Sequence, residues 1–365
     1  MTNFMERFLD LAVQIQQIAA PTFDEKQRAE FVCQRFIQEG LKDVSIDSVN
    51  NVYARLDGKS NLKPLIISAH MDTVFPLGTS LHATRDDERI YGPGIGDNSL
   101  GVAALFGLIW MLRERKIKLQ NDVWFVGNVG EEGLGDLRGM KAVVDRFGEN
   151  VKAYLVIEGM SLGHVYHRAI GVRRYRVTAK TAGGHSWSDY GQPSAVHEAA
   201  KLVTQIASLS VPVNPRTTLN IGKISGGTGI NVLASEATFE LDLRSESMEA
   251  LTALIQQVEE LIRSANKEGV KIEFEVIGAR PAGEISAEHP LIRLAEECLR
   301  EQGIKAELTS GSTDANIPLS RGYPATVLGV TTGGGAHTVH EYMDVGPVEK
   351  GMEQLVKFVE KLSNQ

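Results

Sequence analysis

Carboxylates and imidazoles in this chain stand at the ends of apolar runs, inside short glycine-punctuated motifs. The run Gly92-Pro-Gly-Ile-Gly-Asp97-Asn-Ser-Leu-Gly101 opens the most apolar helix-like segment, residues 102–112. A carboxylate there sits at a helix N-terminus, where the dipole favours negative charge, and we read Asp97 as a bridge between two metal ions. The plainer reading is an N-capping aspartate in a solvated turn, and the other motifs decide between the two. His70-Met71-Asp72 follows the apolar run 65–69. If the strand continues, His70 and Asp72 share a face, and Asp72 can hold the second ring nitrogen that a metal-bound histidine must satisfy. In Gly130-Glu131-Glu132-Gly133, adjacent side chains of an extended segment point apart. Glu132 can then ligate while Glu131 serves as general base in a metal-assisted hydrolysis.

Glu158 closes the apolar run 154–157, and Gly333-Gly-Gly-Ala-His337-Thr-Val-His340-Glu341 offers two histidines. His337, directly after the glycines, is the favoured ligand, and His340 is the alternative. Asp97, Glu132 and Glu158 together carry three negative charges, and gathering them without counter-ions raises their pKa values and costs stability. Two divalent cations with a bridging hydroxide neutralise the set. Histidine and carboxylate donors suit zinc, with cobalt or manganese also fitting.

These side chains need a scaffold that brings strand ends together. Residues 65–69, 123–126, 154–157 and 325–328 are short apolar runs of the kind buried parallel strands require, with helical patterns between them. In open α/β sheets the ligand site lies outside the carboxyl ends of the strands. The expected fold is therefore α/β, a mixed and mostly parallel sheet flanked by helices. Apolar spacing predicts helices over 4–18 and 24–38, and alternation predicts a hairpin over 44–48 and 51–56. From about 171 to 277 the order becomes strand, helix, strand, strand, helix, strand, which is the ferredoxin-like α+β pattern. Glycine and proline flank it, as in hinges between domains. The expected division is 1–168 and 283–365 for a catalytic domain, with 169–282 inserted.

Inside that insertion, Gly183-Gly-His185-Ser186 places a histidine in a tight turn, and Asn231 and Arg244 lie in or beside strands. An arginine on a strand can clamp a substrate carboxylate bidentately; the plain alternatives are a turn histidine and a surface salt bridge. Gly311-Ser312-Thr-Asp314 is a candidate lining of the same cleft. Other chemistries fail. Asp97 occupies the place of the third dinucleotide-binding glycine, and there is no Gly-x-Ser-x-Gly elbow and no phosphate-binding lysine loop.

A net charge of −8 without a basic tract argues against nucleic acid and anionic membranes as partners. Cys33 and Cys298 are far apart and suggest neither a disulfide scaffold nor a cysteine-rich zinc module. The first residues carry charges every few positions and lack the apolar core of a signal peptide. No uninterrupted apolar run approaches a membrane span, so a cytoplasmic globular protein is expected.

Taken in order, His70-x-Asp72, the glycine loop with Asp97, Glu131-Glu132, Glu158, Gly-Gly-His185-Ser and His337-x-x-x-Glu341 resemble a known set. It is that of the dizinc exopeptidase and deacylase family, which includes glutamate carboxypeptidase, peptidase T, succinyl-diaminopimelate desuccinylase and the aminoacylases. The resemblance covers nearly the whole chain. It implies that His70 and Glu158 hold one zinc, Glu132 and His337 the other, with Asp97 bridging and Asp72 orienting His70. Glu131 would take a proton from the bridging water and hand it to the leaving amine. The insertion resembles the family's lid and dimerisation domain, which implies a homodimer. There His185 would polarise the scissile carbonyl, and Asn231 and Arg244 would hold the substrate's free carboxylate. The implied activity is an exopeptidase acting on a short peptide or small amino-acid conjugate. An N-acyl amino-acid deacylase is the alternative within the same chemistry. A non-catalytic binding protein that kept the fold is the remote alternative; it would be missing a ligand or the proton-transfer group, and here all are present.

Overall fold

The computed structural model describes residues 3–365. They form two compact units, one holding everything up to Ala169 together with Glu284–Gln365, the other Ile170–Gly283.

At the centre of the first unit four strands lie side by side and parallel, in the order Val123–Asn128, Leu65–His70, Ala153–Glu158 and Ala325–Gly329. Leu65–His70 is buried at every residue, which is why its sequence is continuously apolar instead of alternating. Antiparallel strands Val52–Leu56 and Lys42–Ile46 extend one side as a hairpin. On the other side His164–Ala169 runs antiparallel to Ala325–Gly329, with Glu307–Gly311 parallel beside it. The sheet is mixed and mostly parallel at its core, as the apolar runs predict.

The helix Gly101–Glu114 is buried from Gly101 through Leu112. It packs on the strand Leu65–His70 and on the helices Asn3–Gln16 and Val348–Asn364. A helix covered on all sides has no need of a polar face. With the turn before it, the stretch Ile95–Glu114 is long and apolar enough to span a membrane, yet 94% of its apolar window is buried inside this fold. Asp97, Asn98 and Ser99 interrupt the apolar run within that stretch, and its burial accounts for its composition.

The second unit is a four-stranded antiparallel sheet in the order Thr217–Gly226, Glu236–Ser245, Gly171–Lys180, Lys271–Arg280. Helices Ala195–Ala207 and Met248–Ser264 cover one face, completing the ferredoxin-like pattern. Tyr175, Val177, Phe239, Leu241 and Leu243 point to those helices and are buried with Leu202, Leu254 and Val258. The alternate residues carry cross-strand ion pairs, Arg174 with Asp242 at 2.8 Å and Arg176 with Glu240 at 2.8 Å. A short ladder pairs Gly184–His185 with Val232–Leu233.

Candidate metal centre

The first unit's parallel strands deliver the chemistry at their carboxyl ends. His70 is the last residue of Leu65–His70, and Glu158 the last of Ala153–Glu158. Glu131 and Glu132 follow Val123–Asn128 by a short loop. His337 follows Ala325–Gly329 through the glycine run and sits in the left-handed region at φ 65°. Asp97 lies in an irregular turn, Ile95–Leu100, that feeds the buried helix; its own backbone is non-helical at φ −111°, ψ 88°.

The side chains converge on Asp97. Its Oδ1 stands 3.2 Å from His70 Nε2, and its Oδ2 stands 3.1 Å from His337 Nε2. Glu158 Oε2 is 3.6 Å from His70 Nε2, and Glu132 Oε1 is 3.3 Å from His337 Nε2. Two ligand triads result, His70–Asp97–Glu158 and Asp97–Glu132–His337, each with donor atoms within 4.8 Å of one another. They share one carboxylate, which offers a different oxygen to each. A third grouping of the same span, His70–Glu131–Glu132, brings Glu131 to the same centre. His340 is exposed and belongs to none of the groupings found among the described residues.

Hydrogen bonds hold this arrangement from behind. His70 Nδ1 lies 3.1 Å from the main-chain carbonyl oxygen of Asp72, while the Asp72 carboxylate is 3.7 Å away. The sequence reading has that carboxylate orient His70. In the structure the peptide carbonyl is the nearer partner of the ring, and the carboxylate stands beside it. That carboxylate accepts the backbone N–H groups of Glu131 and Glu132, each at 3.0 Å, and the Thr22 hydroxyl at 2.9 Å. Asp72 thus positions the turn that carries Glu131 and Glu132. Glu341 does the same for Asp97: fully buried, its carboxylate accepts the N–H groups of Gly94 (2.9 Å), Gly96 (2.8 Å) and Asp97 (2.8 Å). Asn98 ties that turn to the end of the Glu158 strand, donating to Ile157 O at 2.8 Å and accepting from Gly159 N at 2.9 Å. A Cβ on Gly159 would stand 2.0 Å from Gly96 O, so only glycine allows this approach.

Burial pushes the Glu132 and Glu158 carboxyls up to about 7, against the hydrogen bonds of His337 and His70 and with Asp97's charge adding to the rise. Burial also pushes Asp97 up, but its hydrogen bonds to His337 and His70 win and hold it below the usual carboxylate range. Those to Asp97 and Glu132 raise His337 to about 10. Burial pulls His70 down, and its contacts with Asp72, Asp97 and Glu158 more than reverse this. The donor set therefore favours positive charge strongly. With Nδ1–H given to the Asp72 carbonyl, a neutral His70 turns the Nε2 lone pair toward two carboxylates, an acceptor facing acceptors, which a divalent cation among them resolves. The residues present fit metal ions.

The remaining sequence candidates lie elsewhere. Gly311 ends the strand Glu307–Gly311 and Ser312 follows it, and Asp314 beyond them reaches the back of the centre, accepting from Asn128 Nδ2 at 2.6 Å. Asp314 is fully buried, and burial together with the charge of Glu131 pushes its carboxyl well above the usual range. His185 pairs with Val232 on the short ladder of the second unit, and next to that pair Asn231 O accepts Ser186 N–H at 3.0 Å. Arg244 does not join them. Its Nε donates to Asp242 Oδ2 at 2.6 Å on the helix-free face of the sheet, so a carboxylate of this chain already holds the proposed clamp. The sequence reading passed over Thr22 and offered Asp314 only as a cleft lining; the signal available for Thr22 was the turn Ala20-Pro21-Thr22.

Fold and site together define a hydrolase of the metallopeptidase class. The profile of peptidase family M20/M25/M40 matches residues 66–361, and the chain belongs to that family. It is 24% identical to the uncharacterized protein YqjE of Bacillus subtilis, over 98% of each chain. It is 23% identical to carboxypeptidase G2 of a Pseudomonas species, over 85% of this chain and 76% of that one. The crystal structure of a tripeptidase from Staphylococcus aureus superposes with a TM-score of 0.84 at 23% identity, over 99% of both chains.

Two measurements follow from the electrostatics and the hydrogen bonds. With Glu132 and Glu158 near 7 and His337 near 10, protons occupy the donor set at neutral pH and must leave when metal enters. Calorimetric titration with zinc in buffers of different ionisation heat is expected to show proton release, with affinity rising as pH increases through 7. Glu341→Gln turns an amide donor toward backbone N–H groups, so metal affinity is expected to fall about 10- to 100-fold with little change in far-UV circular dichroism.

Proposed function

We propose that this protein is a two-metal exopeptidase that hydrolyses the amide bond of short peptides or small amino-acid conjugates, with Glu131 as general base. The observation that carries this is the division of Asp97 between two histidines, one oxygen to each of two overlapping ligand triads. His70, Asp97 and Glu158 would hold one ion, and Asp97, Glu132 and His337 the other. Zinc suits these donors best, with cobalt and manganese also accommodated. Bound there, such ions supply a Lewis acid for the scissile carbonyl and lower the pKa of an attacking water.

The chain's own groups account for the proton. Glu131 is buried beside His70 and Glu132, where its carboxylate would take a proton from water and return it to the leaving nitrogen. Asp72 sets where that carboxylate stands by holding the Glu131 and Glu132 backbone. His185 Nδ1 accepts the Trp187 N–H at 3.2 Å, so the neutral ring keeps its hydrogen on Nε2, the form that donates to a carbonyl oxygen. Asn231 beside it is a candidate to hold substrate, and so are Gly311 and Ser312. For Arg244 to do so it would have to exchange Asp242 for the substrate. The names tripeptidase and carboxypeptidase among the similar proteins favour a peptide over an N-acyl amino acid.

The same reading includes a homodimer formed through the second unit. Its outer strand Thr217–Gly226 is exposed along most of its length, an edge of the kind that pairs with another chain. Residence in the cytoplasm accords with Cys33 and Cys298 as free thiols.

Chelation is expected to abolish hydrolysis of a dipeptide and tripeptide panel, and added zinc, cobalt or manganese to restore it. Glu131→Gln should lower kcat about 10²- to 10⁴-fold while metal content stays at the wild-type level; full turnover by that variant overturns the assignment. Sedimentation of the wild type should give the dimer mass, and a monomer at all concentrations removes the assembly.

A further inference from the structure

Phe23 combines two unfavourable features. Its backbone is left-handed at φ 79°, a region bulky side chains rarely adopt, and its ring is 62% exposed. The surroundings enforce this conformation. On one side, Thr22 N–H donates to Thr73 O at 3.3 Å, and the Thr22 hydroxyl donates to Asp72 Oδ2 at 2.9 Å, with Glu132 O at 3.4 Å. On the other, Phe23 N–H donates to Glu25 Oε1 at 2.9 Å. Glu25 is fully buried and takes Arg138 through both oxygens at 2.6 Å. The Arg138 guanidinium then stands 5.3 Å from the Phe23 ring centroid. Arg138 also closes the loop that carries Glu131 and Glu132: its N–H donates to Gly135 O at 3.1 Å, and its side chain fills the space a Cβ on Gly130 would occupy. Leu134, in that loop, is 46% exposed.

A strained, exposed aromatic is thus locked to the residue that clamps the ligand turn. Strain of this kind persists where the surrounding structure over-determines it, and it clusters at ligand clamps. A ring that faces the Arg138 guanidinium, on a backbone fixed by hydrogen bonds, also loses little freedom when something packs on it. We propose that Phe23 is a specificity-determining residue whose ring forms an apolar wall for the substrate side chain next to the scissile bond. The preferred substrates are then peptides with a large apolar or aromatic residue at that position. This rests on the metallopeptidase reading above.

The test uses full-length, metal-loaded protein and peptide pairs that differ only by phenylalanine or glycine beside the scissile bond, on either side of it. For Phe23→Ala, kcat/KM on the phenylalanine peptides is expected to fall at least about tenfold more than on the glycine peptides, the scale of losing apolar contact in a pocket. Phe23→Leu should keep most of the preference. Phe23→Gly, which relieves the backbone, should lose the preference while raising the thermal midpoint. Equal losses on both peptides, or none on either, overturn the inference and leave the peptidase reading standing. A wild type that cleaves no peptide in the panel overturns that reading, and this one with it.

Discussion

Carboxylates taken out of water repel one another, and the first unit gathers several at one end of its parallel sheet. Asp97, Glu132 and Glu158 meet around two imidazoles, with Glu131 and Asp314 behind them. Arg28, fully buried and donating to the carbonyls of Ile18 and Met71, is a cation on the Asp72 side. It does not reach into the triads. A cluster of this charge is tolerable around cations and costly otherwise. The rest of the local structure can be understood as what keeps these groups from relaxing apart: strands too apolar to move into water, and glycines where two backbones must touch.

Two of the buried acids face backbone. Asp72 receives adjacent N–H groups from the Glu131–Glu132 turn, and Glu341 receives three from the Asp97 turn. A carboxylate has lone pairs enough for several donors, and charge-assisted hydrogen bonds are about twice as strong as neutral ones. Each acid therefore fixes a loop that strand pairing cannot reach. Glu341 fixes the turn with its main chain too, since Gly92 N–H donates to its carbonyl at 2.9 Å.

The strand ends and the insertion were legible in the sequence because each depends on local pattern. Buried parallel strands read as unbroken apolar runs, as at Leu65–His70, and the second unit's strands alternate as a one-sided sheet must. The brackets were not legible. Thr22 meets Asp72, Asn128 meets Asp314, and Gly94 meets Glu341 across 50, 186 and 247 residues, and no spacing rule spans such gaps. Arg244 is the opposite case. Asp242 stands two residues before it, and positions two apart on a strand share a face, so the salt bridge was there to be read once the strand was placed.

His337 and Glu341 lie in the part of the chain that comes after the inserted unit Ile170–Gly283. During synthesis the N-terminal strands, with His70, Asp97, Glu132 and Glu158, leave the ribosome first. They carry one triad and two members of the other, but Asp97's turn has no partner for its amides until the final segment arrives. A nascent chain therefore holds an acidic half-site until the segment that carries His337 and Glu341 emerges to close it.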